Sequence, residues 1–215
     1  MMRWISRFAA MALLSVALGA HAAPLQLVEG QGYQRLAVPQ PVSPQGKIVV
    51  TEFFWYNCPH CAAMEPLLEA WEKKLPADVV VERVPVAFAP QFVDQQKFYY
   101  ALKALGKAQQ LQGAVFNAIH QQHITLMTGK QMANWVSSHG VSKQAFLAAF
   151  NSFGVQMDAK RATQMVTDYQ ISGVPTLAVQ GTYLLSASMP QTPSNPQVLQ
   201  AVSSLIDQVR PTLKH

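Results

Sequence analysis

Cysteine is nearly absent from this chain: two residues in 215, Cys58 and Cys61, three positions apart. A framework of several disulfides is therefore excluded, and so is a zinc site built from two C-x-x-C pairs. Histidine does not follow the second cysteine (position 62 is Ala), which excludes a c-type haem attachment site. Basic residues never run beyond the pairs Lys73-Lys74 and Lys160-Arg161. Nucleic-acid binding calls for a dense basic face, so no nucleic-acid partner is expected. Internal repeats, low-complexity tracts and a second long apolar span are also missing. Half of the chain is hydrophobic, enough for a full core without further disulfides.

The N-terminus carries a compartment signal. Arg3 and Arg7 form a positive start, Phe8 to Leu18 an apolar run, and Ala20-His21-Ala22 an A-x-A cleavage site. The run is too short to cross a bilayer and polar sequence follows it. Residues 1–22 are therefore read as a secretory signal peptide, against the alternative of an uncleaved anchor. No cysteine stands at the cleavage point, so a lipid anchor is not indicated. Loss of the two arginines lowers the formal charge from +5 to +3. The remaining chain, about 190 residues, fits one domain or one domain with an insertion. It is expected to be a soluble monomer in an exported space, the periplasm, where disulfides persist.

The two cysteines sit where their spacing has chemical use. Residues 48–55 are nearly all apolar, as in a central strand buried on both faces. Cys58 then falls at a helix start, with Pro59 in the favoured first position. Residues three apart in a helical turn lie about 5–6 Å from one another, within disulfide range. A bridge closing so small a loop removes little unfolded-state entropy. A redox-active dithiol/disulfide is the better reading, and a structural pair the weaker one.

The helix started by Cys58 runs toward Leu75, with Pro66 inside it as a potential kink. Residues 79–86 read as a second strand, and 23–46 as an irregular lead-in with one edge strand. From about Pro90 to Gln170 the periodicity is helical, with Ser142 as an N-cap. Thr176–Val179 and Thr182–Leu185, separated by Gln180-Gly181, form a hairpin signature. A last helix is expected to open at Asn195 as N-cap, with Pro196 first inside, and to end at Pro211. A helical block that splits a β/α unit reads as an inserted subdomain.

The residues Glu52-Phe53-Phe54, Cys58-Pro59-His60-Cys61, Glu65, the strand around Arg83 and Gly173-Val174-Pro175-Thr176 together resemble the DsbA family of thiol–disulfide oxidases. The likeness spans the whole exported chain in order and spacing. It departs from the family pattern after Leu184, where Ser186, Ala187 and Ser188 form a small polar loop. The resemblance implies an α/β thioredoxin fold with an inserted all-helical subdomain. The thioredoxin part would be 23–88 with 163–215, and the insertion 89–162.

The residue roles follow partly from chemistry and partly from that resemblance. Cys58, at the helix N-terminus, is expected to be the exposed, acidified nucleophile, and Cys61 the shielded resolving thiol. His60 between them adds a dipolar or positive neighbour; otherwise it is an exposed residue that tolerates the turn. Metal binding by Cys58, His60 and Cys61 is weighed and set aside, because His120 and His123 lack metal-ligand spacing. The family implies a cis bond at Val174–Pro175 and a substrate-binding edge at Val174, with the alternative of a trans proline opening a strand. Glu52, a carboxylate in an apolar strand, is either a proton relay to Cys61 or one half of a plain pair with Arg83. Trp55, Tyr56, Met64 and Leu68 are either an apolar substrate rim or core.

No cofactor beyond the Cys58–Cys61 disulfide is expected. The resemblance implies reduced exported proteins as substrates and a membrane DsbB-type, quinone-linked reoxidant as partner. Two rivals remain at this point: a thioredoxin-like reductase or isomerase, and a non-catalytic chaperone or metal-binding module.

Overall fold

A computed structural model describes residues 26–213; the signal-peptide reading of residues 1–22 lies outside them. The strand expected at 48–55 is β2, Ile48–Phe54, and every one of its seven residues is buried. It pairs in parallel with β3 (Val79–Pro85) on one side and antiparallel with β4 (Thr176–Val179) on the other. The short edge strand β1 (Gln34–Arg35) and β5 (Tyr183–Leu185) complete a five-stranded sheet of order β1-β5-β4-β2-β3. The parallel β2–β3 connection runs through helix α1, Pro59–Glu72, as a parallel pair requires.

The β4–β5 hairpin turns at Gln180 and Gly181, both at positive φ (50° and 60°). Glycine is obligatory at 181: a Cβ there would stand 2.0 Å from the Gln40 carbonyl oxygen. The amide of Gln40 donates to the Gly181 carbonyl at 2.8 Å, which sews the lead-in segment to the sheet.

Helices α2 (Val93–Ala104), α3 (Ala108–His120), α4 (Gly129–Ser137), α5 (Lys143–Phe150) and α6 (Phe153–Asp168) lie between β3 and β4. Their starts obey local rules. Thr128 and Gln131 form a reciprocal capping box on α4, while Ser142 and Ser152 accept from the third amides of α5 and α6. Helix α6 runs unbroken through 162/163, so the subdomain boundary expected there falls inside a helix. Pro66 likewise lies within α1 without ending it.

Helix α7 (Asn195–Val209) begins one residue earlier than expected. Ser194, not Asn195, is the N-cap, with extended backbone (φ −147°, ψ 156°), which moves Pro196 to the second helical position. Both residue types are good caps. The Ser194 hydroxyl accepts from no helix amide and instead donates to Gln197 Oε1 at 2.6 Å.

Two apolar clusters hold these layers together. Ile48, Val50, Leu177 and Val179 of the sheet pack with Met64 and Leu68 of α1 and with Val198, Val202 and Leu205 of α7. The second cluster joins Phe53, Phe54 and Tyr56 to Phe98, Val115, Phe116, Met132 and Phe146 of the helical insertion. The segment between β2 and α1 is therefore built into the larger core rather than hung on its surface.

Candidate active site

The end of β2 delivers the chain to the start of α1, and Cys58 is its N-cap (φ −83°, ψ 117°) with Pro59 as first helical residue. Proline suits this position because its missing N–H would have been unpaired anyway. Both cysteines are free thiols. Cys58 is 8% exposed and Cys61 is fully buried. The expected asymmetry is present, although Cys58 is itself mostly covered rather than openly exposed. Its thiol donates to the Val174 carbonyl at 3.4 Å.

Electrostatics separates the pair further. A hydrogen bond from the Cys61 thiol is the largest influence on Cys58. Burial opposes it, and the backbone amides of Cys61 and His60 and the His60 side chain assist, so that Cys58 is lowered to about 6. The sulfur makes no regular capping bond; the amides act as a local positive field. The side chain of His60 is thus the smallest of these effects, behind the thiol and the amides. Burial, and then the neighbouring Cys58, push the Cys61 thiol far above its usual range.

One outcome follows directly. In the reduced protein at about pH 6, an alkylating reagent should modify Cys58 and leave Cys61 intact, because only the thiolate reacts. Mass mapping of the modified peptide checks it. Equal labelling, or an onset only above about pH 8, would contradict the geometry.

Val174–Pro175 is a cis peptide, and the Val174 carbonyl stands against the Cys58 sulfur. Around it lies a groove of about 340 Å³ lined by His60, Ser172, Gly173, Val174, Pro175, Thr176, Ser186, Ala187 and Ser188. The polar loop at 186–188 forms one wall of this groove, with the Ser186 and Ser188 hydroxyls bonded to each other at 2.7 Å. His60 and Val174, far apart in the chain, face the same space.

Glu52 lies fully buried on β2, opposite Arg83 in the β2–β3 register. The Glu52–Arg83 pairing is present, with Arg83 Nε 3.3 Å from Glu52 Oε2. It is not a plain pair, because Arg83 also meets Glu72 at 2.9 Å and Glu65 at 3.7 Å. Three carboxylates share one guanidinium. Burial, reinforced by the charge of Glu65, pushes the Glu52 carboxyl up to about 8, against the pull of Arg83. Burial raises Glu65 as well. Burial thus makes Glu52 harder to ionise than an exposed carboxylate, in spite of the guanidinium beside it.

The apolar-rim candidates divide. Tyr56, Met64 and Leu68 are core residues, each no more than 1% exposed, because the α1 face that carries Met64 and Leu68 turns toward α7 and the sheet. Trp55 is half-buried and packs against Phe92 with ring centroids 4.5 Å apart.

Several contacts at the site have no sequence signal. His120, set aside as a metal ligand, has its Nε2 2.8 Å from the Tyr56 carbonyl. The Tyr56 hydroxyl donates to the buried Gln112 at 2.7 Å. Gln95, buried on α2, holds the side chains of Trp55 and Asn57. Among the described residues no group of three His, Cys, Asp or Glu side chains is placed to hold a metal ion. No helix there is long and apolar enough to cross a membrane.

Known proteins resemble the chain in sequence and in fold. The model of the DSBA-like thioredoxin domain matches residues 49–195. The chain is 42% identical to the thiol:disulfide interchange protein DsbA of Burkholderia cepacia, over 92% of this chain and 94% of the relative. It is 37% identical to the protein of the same name from Pseudomonas aeruginosa, over 86% and 87%. Among solved structures, P. aeruginosa DsbA superposes with a TM-score of 0.81 at 36% identity, covering 86% of this chain and 96% of that one. DsbA from Xylella fastidiosa gives 0.80 at 28% identity, covering 86% and 98%.

Proposed function

The chain belongs to the DSBA-like thioredoxin family and is a thiol:disulfide oxidoreductase, and on that premise we propose that it works as an oxidase in the periplasm, passing its Cys58–Cys61 disulfide to reduced exported proteins. The observation that carries this direction is the split between the two thiols: one held low, the other buried and held high. Stabilising the Cys58 thiolate stabilises the reduced protein, which makes the disulfide the stronger oxidant.

The reaction has two exchanges. A substrate thiolate attacks the Cys58 sulfur; the Cys58–Cys61 bond breaks and Cys61 leaves with the electron pair. Because its thiol is pushed up so strongly, Cys61 must take a proton as it leaves, and we assign its supply to Glu52, a carboxyl on β2 whose burial favours the protonated form. A second substrate thiolate then attacks the substrate sulfur of the mixed disulfide. Cys58 departs as a stable thiolate, a good leaving group. The substrate is oxidised by two electrons and the enzyme is left as the dithiol.

We assign the Val174–Pro175 edge as the substrate seat. The 3.4 Å contact from Cys58 to the Val174 carbonyl and the adjoining groove support it. An extended segment can pair with the Val174 backbone there, and Pro175, lacking an N–H, adds no competing donor beside the sulfurs. The dithiol must be reoxidised; family membership supports a membrane partner of the DsbB type that passes the electrons to quinone. The signal-like residues 1–22 support export.

The direction is tested by mixing the oxidised protein with an unfolded protein bearing two thiols. One substrate disulfide should form for each Cys58–Cys61 pair reduced, and faster than the reduced enzyme opens insulin disulfides. Faster insulin reduction would make the protein a reductase instead.

A further inference from the structure

Beyond that reading, but resting on it, we propose that Gln95 is a positioning residue for the redox pair, through which the helical insertion sets the reactivity of Cys58. Gln95 lies on α2, 38 positions from Asn57, and is 1% exposed. Its amide is fully used: Oε1 accepts from Trp55 Nε1, and Nε2 donates to Asn57 Oδ1 at 2.7 Å and to the Leu126 carbonyl at 3.0 Å. Asn57 extends the network by donating to Met127 Sδ at 3.4 Å.

The two side chains that Gln95 grips belong to residues whose backbones touch the sulfurs' own segment. The Cys58 amide donates to the Trp55 carbonyl at 3.0 Å. Asn57 is the residue before Cys58. A buried amide with three good partners is a rigid joint, since a buried polar group left unpaired is costly. The segment 55–57 is thus clamped from the insertion side, while Val174 meets Cys58 from the sheet side. Loosening the clamp should spoil the alignment of the Cys61 thiol and the helix-start amides on the Cys58 sulfur without touching any of them.

The test is a thiolate absorbance titration of the reduced full-length exported protein, comparing wild type, Gln95→Met, Asn57→Ala and the double variant. Gln95→Met keeps volume and removes all three bonds. Each single variant should raise the Cys58 pKa by about one unit, roughly a tenfold loss of thiolate on the acid side. The double variant should move it no further than the larger single, because both break one joint. Trp55→Phe with Asn57→Ala reads the same coupling should Gln95→Met fail to fold. An unmoved Cys58 pKa in the folded variants, even with lowered stability, or strictly additive shifts, would overturn the proposal. An ordinary Cys58 pKa in the wild type would instead overturn the oxidase reading beneath it.

Discussion

Replacing Cys58 with alanine is expected to reduce disulfide transfer to the uncatalysed background, whereas replacing Cys61 with alanine should convert the enzyme into a trap. The two outcomes differ because the sulfurs have different access and different chemistry. Cys58 is the sulfur that meets the Val174 carbonyl, and no other cysteine exists outside the pair to take its place. In the Cys61→Ala protein the Cys58 thiolate still attacks partner disulfides, but no internal thiol can resolve the mixed disulfide. Complexes that run at the combined mass of enzyme and partner should accumulate in cells and vanish on reduction. Non-reducing electrophoresis of both variants checks this. Complexes formed equally by Cys58→Ala, through Cys61, would reverse the assignment of the two thiols.

Much of this site is legible in sequence because it is local. Cys58 at the cap, Pro59 inside it and Cys61 one turn on are near neighbours whose geometry follows from the start of one helix. The seven-residue apolar run of β2 announces a central strand for the same reason. The pairing of Glu52 with Arg83 is half legible: each stands out as a charge in an apolar strand, and parallel neighbours in one sheet bring them together. Glu65 and Glu72 of α1 join them only because the folded chain brings that helix within reach of Arg83, a tertiary fact that no spacing in the sequence encodes. Gln95 is the extreme case. A glutamine on a helix reads as solvated, and its burial depends on the whole insertion closing over Trp55 and Asn57. The Ser194 cap of α7 shows another limit: Ser194 and Asn195 are neighbouring residues of good capping type, and residue type alone does not choose between them.

The second large effect concerns stability, and its direction runs against common experience with disulfides. The Cys58 thiol, near 6 in the folded dithiol protein, has an ordinary value of about 8.5 in an unfolded chain. A depressed folded value means that the unfolded state binds more protons between those limits. The reduced protein therefore gains stability as pH rises from about 6 to about 8.5 and loses it as pH falls back through about 6; above about 8.5 the gain erodes, because Cys61, held up by burial, ionises only in the unfolded chain. The disulfide form has no such group. After allowance for solvent screening of a site open to the groove, the gain between pH 5 and pH 8 is about 2 kcal/mol. The bridge offsets it by closing a loop of about four residues, about 2 kcal/mol at most in the chain-entropy picture, and engineered bridges often deliver less.

That balance makes the comparison of the two redox forms the most direct test of the central claim, that the fold stabilises the Cys58 thiolate. Denaturant melts of the oxidised and reduced proteins, each at about pH 5 and about pH 8, measure it. The reduced form should gain on the oxidised form with rising pH and be the more stable of the two at the higher pH. A gap that does not change with pH, with the oxidised form the more stable throughout, would contradict it.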